Sequence, residues 1–120
     1  MGDGIMENIN NEVAQSFKRE AKDLGKRYKS LKQDVAGLIE NLKDNPLLGK
    51  DLGGNVHKIR LAISSKGQGK SGGARVISYT DVIYETMSGK VILLSIYDKS
   101  EQSTITDKRI KELLKEAGIK

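Results

Sequence analysis

The chain has 120 residues with 21 Lys or Arg against 16 Asp or Glu, a net charge of +5. This length suits one domain with a modest core, and no apolar run approaches the roughly 20 residues that cross a bilayer. The absence of cysteine excludes disulfides and thiolate chemistry. No secretory signal opens the sequence, which predicts a cytoplasmic protein. Residues 1–8 are expected to be a disordered or added extension, and residues 9–120 a single domain.

Two amphipathic helices are predicted in the first half. From Ser16 onward, apolar residues recur every three or four positions, as Phe17, Ala21, Leu24 and Tyr28. Ser30 has Gln33 three residues later, which is the spacing of a capping box, so a second helix should begin there and end at Asn45-Pro46. Ile9–Gln15 is a candidate for a short first strand, and Leu47–Asn55 is expected to be a loop.

Three strands and a last helix are predicted in the second half. Residues 57–64 alternate between apolar and polar side chains, and Ala74–Glu85 is rich in Val, Ile, Tyr and Thr. After a turn at Met87–Lys90, Val91–Tyr97 is apolar on both faces, as in a central strand that is covered on both sides. Thr104–Lys120 is expected to be a helix capped by Thr104 or Thr106. The predicted fold class is α+β: an N-terminal helical hairpin packed on a small, mostly antiparallel twisted sheet, with a C-terminal helix.

Residues 56–80 contain five cations and no Asp or Glu. The resulting charge of +5 equals the net charge of the whole chain. Such segregation is typical of a surface that binds an anionic partner, most often nucleic acid. The alternative is a solvated hairpin loop in which glycines supply the turn and lysines keep it soluble. The five cations are Lys58, Arg60, Lys66, Lys70 and Arg75.

Within this stretch, Gly67–Gly72 matches the dinucleotide pattern G-x-G-x-x-G. A dinucleotide fingerprint opens a helix, however, whereas this loop leads into a predicted strand. No nucleotide cofactor is therefore expected. The one histidine, His57, is more typical of packing than of catalysis, and no metal site is predicted.

Three segments resemble the RelE/HigB toxins of bacterial type II toxin–antitoxin systems, within the RelE/ParE superfamily. They are Lys58-Ile-Arg-Leu-Ala-Ile, Gly69-Lys-Ser-Gly-Gly-Ala-Arg-Val-Ile and Leu93-Leu-Ser-Ile-Tyr-Asp-Lys-Ser-Glu. The resemblance extends from Ser16 into the C-terminal helix. It implies a RelE/ParE-like fold and a ribosome-dependent mRNA endonuclease without cofactor or metal, neutralised by a cognate antitoxin.

The resemblance also implies roles for individual residues. Arg75 matches the family's arginine after the glycine pair and is assigned to the scissile phosphate. Lys58 and Arg60 match its pair of basic residues, and Lys99 matches a basic position after the last strand. Lys58 or Lys99 is a candidate proton carrier.

Further assignments are less direct. Some relatives carry a catalytic tyrosine near the position of Ile105, and Tyr97 is expected to take its place here. The contacts with RNA or the ribosome are expected to come from Lys66, Lys70 and Ser71.

Two other functions stay open on the sequence. One is a non-catalytic RNA- or ribosome-binding protein that blocks translation by occupancy. The other is a gyrase poison of the related ParE type. Retention of Lys58, Arg60, Arg75 and Lys99 favours the branch that cuts RNA.

Overall fold

The computed structural model describes residues 8–67, 72–83 and 88–119. It confirms the predicted α+β class. In chain order the elements are β1 Asn8–Val13, α1 Gln15–Arg27, α2 Leu31–Asp44, β2 Lys50–Gly53, β3 Val56–Leu61, a short 3-10 helix Ser64–Lys66, β4 Ala74–Ile83, β5 Ser88–Asp98 and α3 Asp107–Glu116.

The five strands form one sheet in the order β1-β5-β4-β3-β2. β1 runs parallel to β5, and the other neighbouring pairs are antiparallel. In the pairing of β4 with β5, Ile77 lies opposite Ser95 and Ser78 opposite Leu93, so that β5 accommodates one extra residue, Leu94. β5 is the central strand that its apolar sequence predicts, and its residues from Val91 to Asp98 are buried.

Helices cover both faces of the sheet. On one face, α1 and α2 bury Phe17, Leu24, Leu31, Leu38 and Leu42 against the strands. Glu20 of α1 accepts hydrogen bonds from the Ser95 hydroxyl (2.8 Å) and the Ile96 N–H (3.1 Å), which fixes the helix on β5. On the other face, Leu113 of α3 packs with a second cluster: Val56, Ile77, Ile92, Leu94 and Tyr97. No helix within the described ranges combines the length and apolarity that a membrane crossing needs.

Several local features differ from the sequence expectations. β3 ends at Leu61 rather than at residue 64, and α3 spans Asp107–Glu116 rather than the longer helix expected from Thr104. The expected loop 47–55 contains the edge strand β2, whose four residues are all exposed and therefore carry no apolar alternation. β5 starts at Ser88, inside the expected turn. Ser30 is the residue before α2, as predicted, but its hydroxyl makes no capping bond, because it donates to Asp34 and accepts from the Ser65 N–H instead.

Candidate active site

A cleft of about 560 Å³ lies where β2, β3 and β4 meet the turn after β5. Among the residues that the structure describes, its lining consists of five cations together with Leu48, Gly49, Ile59 and Ser103, and includes no carboxylate. A concave surface with one sign of charge concentrates anions. The cations that line the cleft within the described ranges are Lys50, Lys58, Arg60, Arg75 and Lys99.

The strand register brings three of the predicted residues into one row. Arg60 on β3 lies opposite Arg75 on β4, which in turn lies opposite Tyr97 on β5. Directly opposite side chains have Cβ atoms about 5 Å apart, and like charges in such positions repel. Lys58 shares the face of Arg60, since it is two residues away on the same strand. His57 points to the other face and is buried there. An anion placed between Arg60 and Arg75 would relieve this repulsion.

Arg75 is fixed in the floor of the cleft. It is only 5% exposed, and its Nη1 donates to the Ala74 carbonyl oxygen over 3.1 Å. Such a guanidinium is held in place before a ligand arrives, so little side-chain entropy is lost on binding.

Gly73 sets the path of the chain beside Arg75. A Cβ atom at this position would clash with the Leu61 carbonyl oxygen, so only glycine allows β3 and the start of β4 to approach this closely. The Gly73 carbonyl oxygen also accepts a hydrogen bond from the Lys99 N–H (3.0 Å). The backbones that carry two of the cleft cations are thus tied together at Gly73.

Tyr97 lies beneath the cleft rather than in its lining. It is 7% exposed and belongs to the apolar cluster against which Ile105 and α3 pack. Burial raises the pKa of its phenol and outweighs the opposing charge of Arg75. Its hydroxyl has no hydrogen-bond partner among the described residues. Tyr97 is therefore next to the site, but covered.

Lys66 does not lie where the sequence interpretation expects it. Its ammonium forms an ion pair with Asp98 (2.7 Å), and its side chain is only 11% exposed. The physical reason is the burial of Asp98, which is 2% exposed and needs a counter-ion. Lys66 is therefore a partly buried cation with a structural partner, and its contact with RNA or the ribosome stays a prediction.

The two remaining RNA-binding candidates, Lys70 and Ser71, lie outside the described residues. Lys50, by contrast, is a cleft cation that the sequence interpretation missed. It lies opposite Lys58 in the pairing of β2 with β3. The sequence gives little indication of this position, because Lys50 lies in a segment that is predicted to be a loop.

A second basic surface was also missed. Residues 16–33 contain seven Lys or Arg and two carboxylates, so the excess charge of 56–80 is matched on the helical hairpin. An apolar groove of about 610 Å³ runs between α1 and α2, and Lys18, Lys22 and Lys32 are among its lining residues. The positive charge of the protein therefore has two locations.

Comparison with known proteins identifies the family. The family model described as the RelE toxin of the RelE/RelB toxin–antitoxin system matches residues 9–119. The chain belongs to the RelE toxin family. A solved structure of a mutant of the E. coli toxin RelE in the free state is similar in fold, with a TM-score of 0.50 and 19% identity, covering 91% of this chain and 93% of that chain. This RelE-family protein is a toxin of a toxin–antitoxin system, and an antitoxin is its expected partner.

Proposed function

We propose that this RelE-family toxin is a ribosome-dependent endoribonuclease that cuts mRNA in the ribosomal A site and so stops translation. The observation that carries the proposal is the cleft itself, to which four segments of the described chain contribute five cations and no carboxylate. RNA is a polyanion, and its cleavage builds further negative charge on one phosphate. A preorganised group of cations suits both demands.

The proposed reaction needs no group beyond the RNA and the side chains. The ribose 2′-oxygen attacks the adjacent phosphorus while a base takes its proton. The bond from phosphorus to the 5′-oxygen then breaks, and an acid protonates that oxygen. The products are a 2′,3′-cyclic phosphate and a 5′-hydroxyl. Arg75 is proposed to hold the scissile phosphate through two parallel N–H donors, since a guanidinium matches that geometry.

The other cations divide between charge stabilisation and proton transfer. Arginine stays protonated in proteins, so Arg60 contributes charge alone, whereas the lysine ammonium can give up a proton. Lys58 and Lys99 line the cleft and are the proposed proton carriers. Tyr97 is buried beneath them, and the raised pKa of its phenol keeps it protonated at neutral pH. If it takes part, it acts as an acid.

Neutralisation by the antitoxin follows from the same charges. We expect acidic or apolar segments of the antitoxin to cover the cleft, because carboxylates pair with its cations and exclude the phosphates. The complex would then bind neither mRNA nor the ribosome through this surface.

The test is a purified translation reaction with an end-labelled message, comparing the wild-type protein with Arg75→Ala. The proposal predicts message fragments with the wild-type protein, only while ribosomes translate, and intact message with the variant. Intact message with translation arrested by the wild-type protein would favour inhibition by occupancy. A supercoiling assay with gyrase tests the ParE-type alternative in parallel.

A further inference from the structure

A buried carboxylate lies directly behind the cleft. Asp98 accepts hydrogen bonds from the Lys66 ammonium (2.7 Å), the Tyr28 hydroxyl (2.7 Å), the Ser100 N–H (2.9 Å) and the Ser100 hydroxyl (2.7 Å). Burial opposes its ionisation, but these donors prevail and hold the pKa of the carboxyl well below its usual range. Asp98 is thus an ionised group, fully hydrogen-bonded in the interior.

Its place in the chain connects it to the cleft. Asp98 follows Tyr97 and precedes Lys99, and it lies opposite Ala74, the neighbour of Arg75. The Lys99 N–H bonds to Gly73 across the same pair of strands. Because the Asp98 carboxylate also accepts from the Ser100 N–H, it closes the turn that carries Lys99, and a shift of its side chain would release that turn.

Lys66, the nearer of the two cations paired with Asp98, holds the 3-10 helix that follows β3. Lys66 ends this 3-10 helix, and Gly67 follows it with a left-handed backbone (φ 75°). The other end of the 3-10 helix is fixed to α2, since Asp34 accepts from the Ser64 N–H (3.0 Å) and hydroxyl (2.7 Å). Two carboxylates thus fix the 3-10 helix that follows β3, the strand of Lys58 and Arg60.

We propose that Asp98 is a positioning residue of the nuclease site, which acts through Lys66 and Lys99 without touching RNA. This inference rests on the proposed function. Its ion pair with Lys66 fixes the 3-10 helix after β3, and its hydrogen bonds with Ser100 fix the turn that carries Lys99 at the edge of the cleft. Buried ion pairs of this kind contribute little to stability beyond what a well-packed apolar pair provides. The role of the Asp98–Lys66 ion pair is instead to align the cations around the scissile phosphate.

The test uses Asp98→Asn, Lys66→Met and the double variant. Misplacement of reacting groups by about 1 Å lowers a rate by up to about 100-fold. We therefore expect each single variant to lower the cleavage rate at saturating ribosomes by about 10- to 100-fold, with apparent affinity for the ribosome changed less than about twofold. Because Lys66 acts only through its ion pair with Asp98, the double variant should match Asp98→Asn rather than multiply the two losses. The double variant removes both charges of the pair, so neither is left buried without its partner. It therefore serves as the test if a single variant unfolds.

Glu40→Gln/Lys43→Met is the matched control, because it removes an exposed ion pair of similar length (3.0 Å) on α2. It should cleave at the wild-type rate. The positioning role is overturned if folded Asp98→Asn and double variants also cleave at the wild-type rate, if the loss equals the unfolded fraction, or if affinity falls instead of rate.

A second measurement separates this inference from the proposed function. If the wild-type protein cuts no message, the proposed function fails, but the positioning role is still measurable by hydrogen exchange. In Asp98→Asn the Lys99 amide should exchange at least about 10-fold faster relative to Leu93, a core amide of β5 that reports global unfolding. Unchanged protection of Lys99 would overturn the inference whatever the activity.

Discussion

Replacing Arg75 by alanine should lower the rate constant of message cleavage by about 100- to 1,000-fold. Removing one preorganised donor from a developing negative charge costs about 2.7–4 kcal/mol in the transition state. The structure favours this range for Arg75, because the residue is held in the cleft floor with 5% exposure and needs no reorganisation. Four cations remain in the lining, so some activity should survive. Arg75→Lys keeps the charge but loses the two-pronged contact, and a fall of about 10-fold is expected.

The assay is single-turnover cleavage with saturating ribosomes stalled at a defined codon, which isolates chemistry from binding. Arg19→Ala serves as the control, because Arg19 is exposed on α1 and lies outside the cleft. Circular dichroism must show that each variant is folded. A rate for folded Arg75→Ala within about threefold of wild type, less than 1 kcal/mol in barrier height, would refute the assignment of Arg75 to the scissile phosphate.

Four further outcomes follow. Gly73→Ala should lower the free energy of unfolding by about 1–3 kcal/mol, since the new Cβ meets the Leu61 carbonyl oxygen; an unchanged midpoint in urea would contradict the close approach. Thr106→Ala should cost about 1 kcal/mol by the same measurement, because the hydroxyl caps α3, and Thr106→Ser should recover most of it. Lys50→Ala should reduce the slope of log affinity for the ribosome against log salt by about one, whereas an unchanged slope would remove Lys50 from the RNA contacts. The pKa of Asp98 is lower in the folded state than the unfolded value of about 3.9. The contribution of Asp98 to stability is therefore complete above about pH 4 and is lost as pH falls below that value. Urea unfolding between pH 2 and pH 7 should show a smaller acid dependence for Asp98→Asn than for the wild-type protein.

The helices and the central strand could be predicted from the sequence because their signals are local. The stripe from Phe17 to Leu24 and the continuous apolar run of β5 each describe a face that must be buried. β2 could not be predicted in this way. Its four residues are all exposed, and what makes them a strand is pairing with β3, a contact that no periodicity within β2 records.

The candidate site shows the same division. Lys58, Arg60 and Arg75 could be assigned to the site from their strands and from the family resemblance. The ion pair of Lys66 could not be predicted, because Asp98 lies 32 residues away and the sequence does not show which of the many lysines pairs with that carboxylate. Burial of Tyr97 depends likewise on the packing of α3, which the strand pattern does not specify.

The most direct test of the proposed nuclease function is the chemistry of the cut ends. Purified protein is added to ribosomes stalled on a defined message, and both new termini are mapped and chemically typed. The proposal predicts new ends within the A-site codon, bearing a 2′,3′-cyclic phosphate on one fragment and a 5′-hydroxyl on the other, and none without ribosomes. An intact message on arrested ribosomes would contradict it.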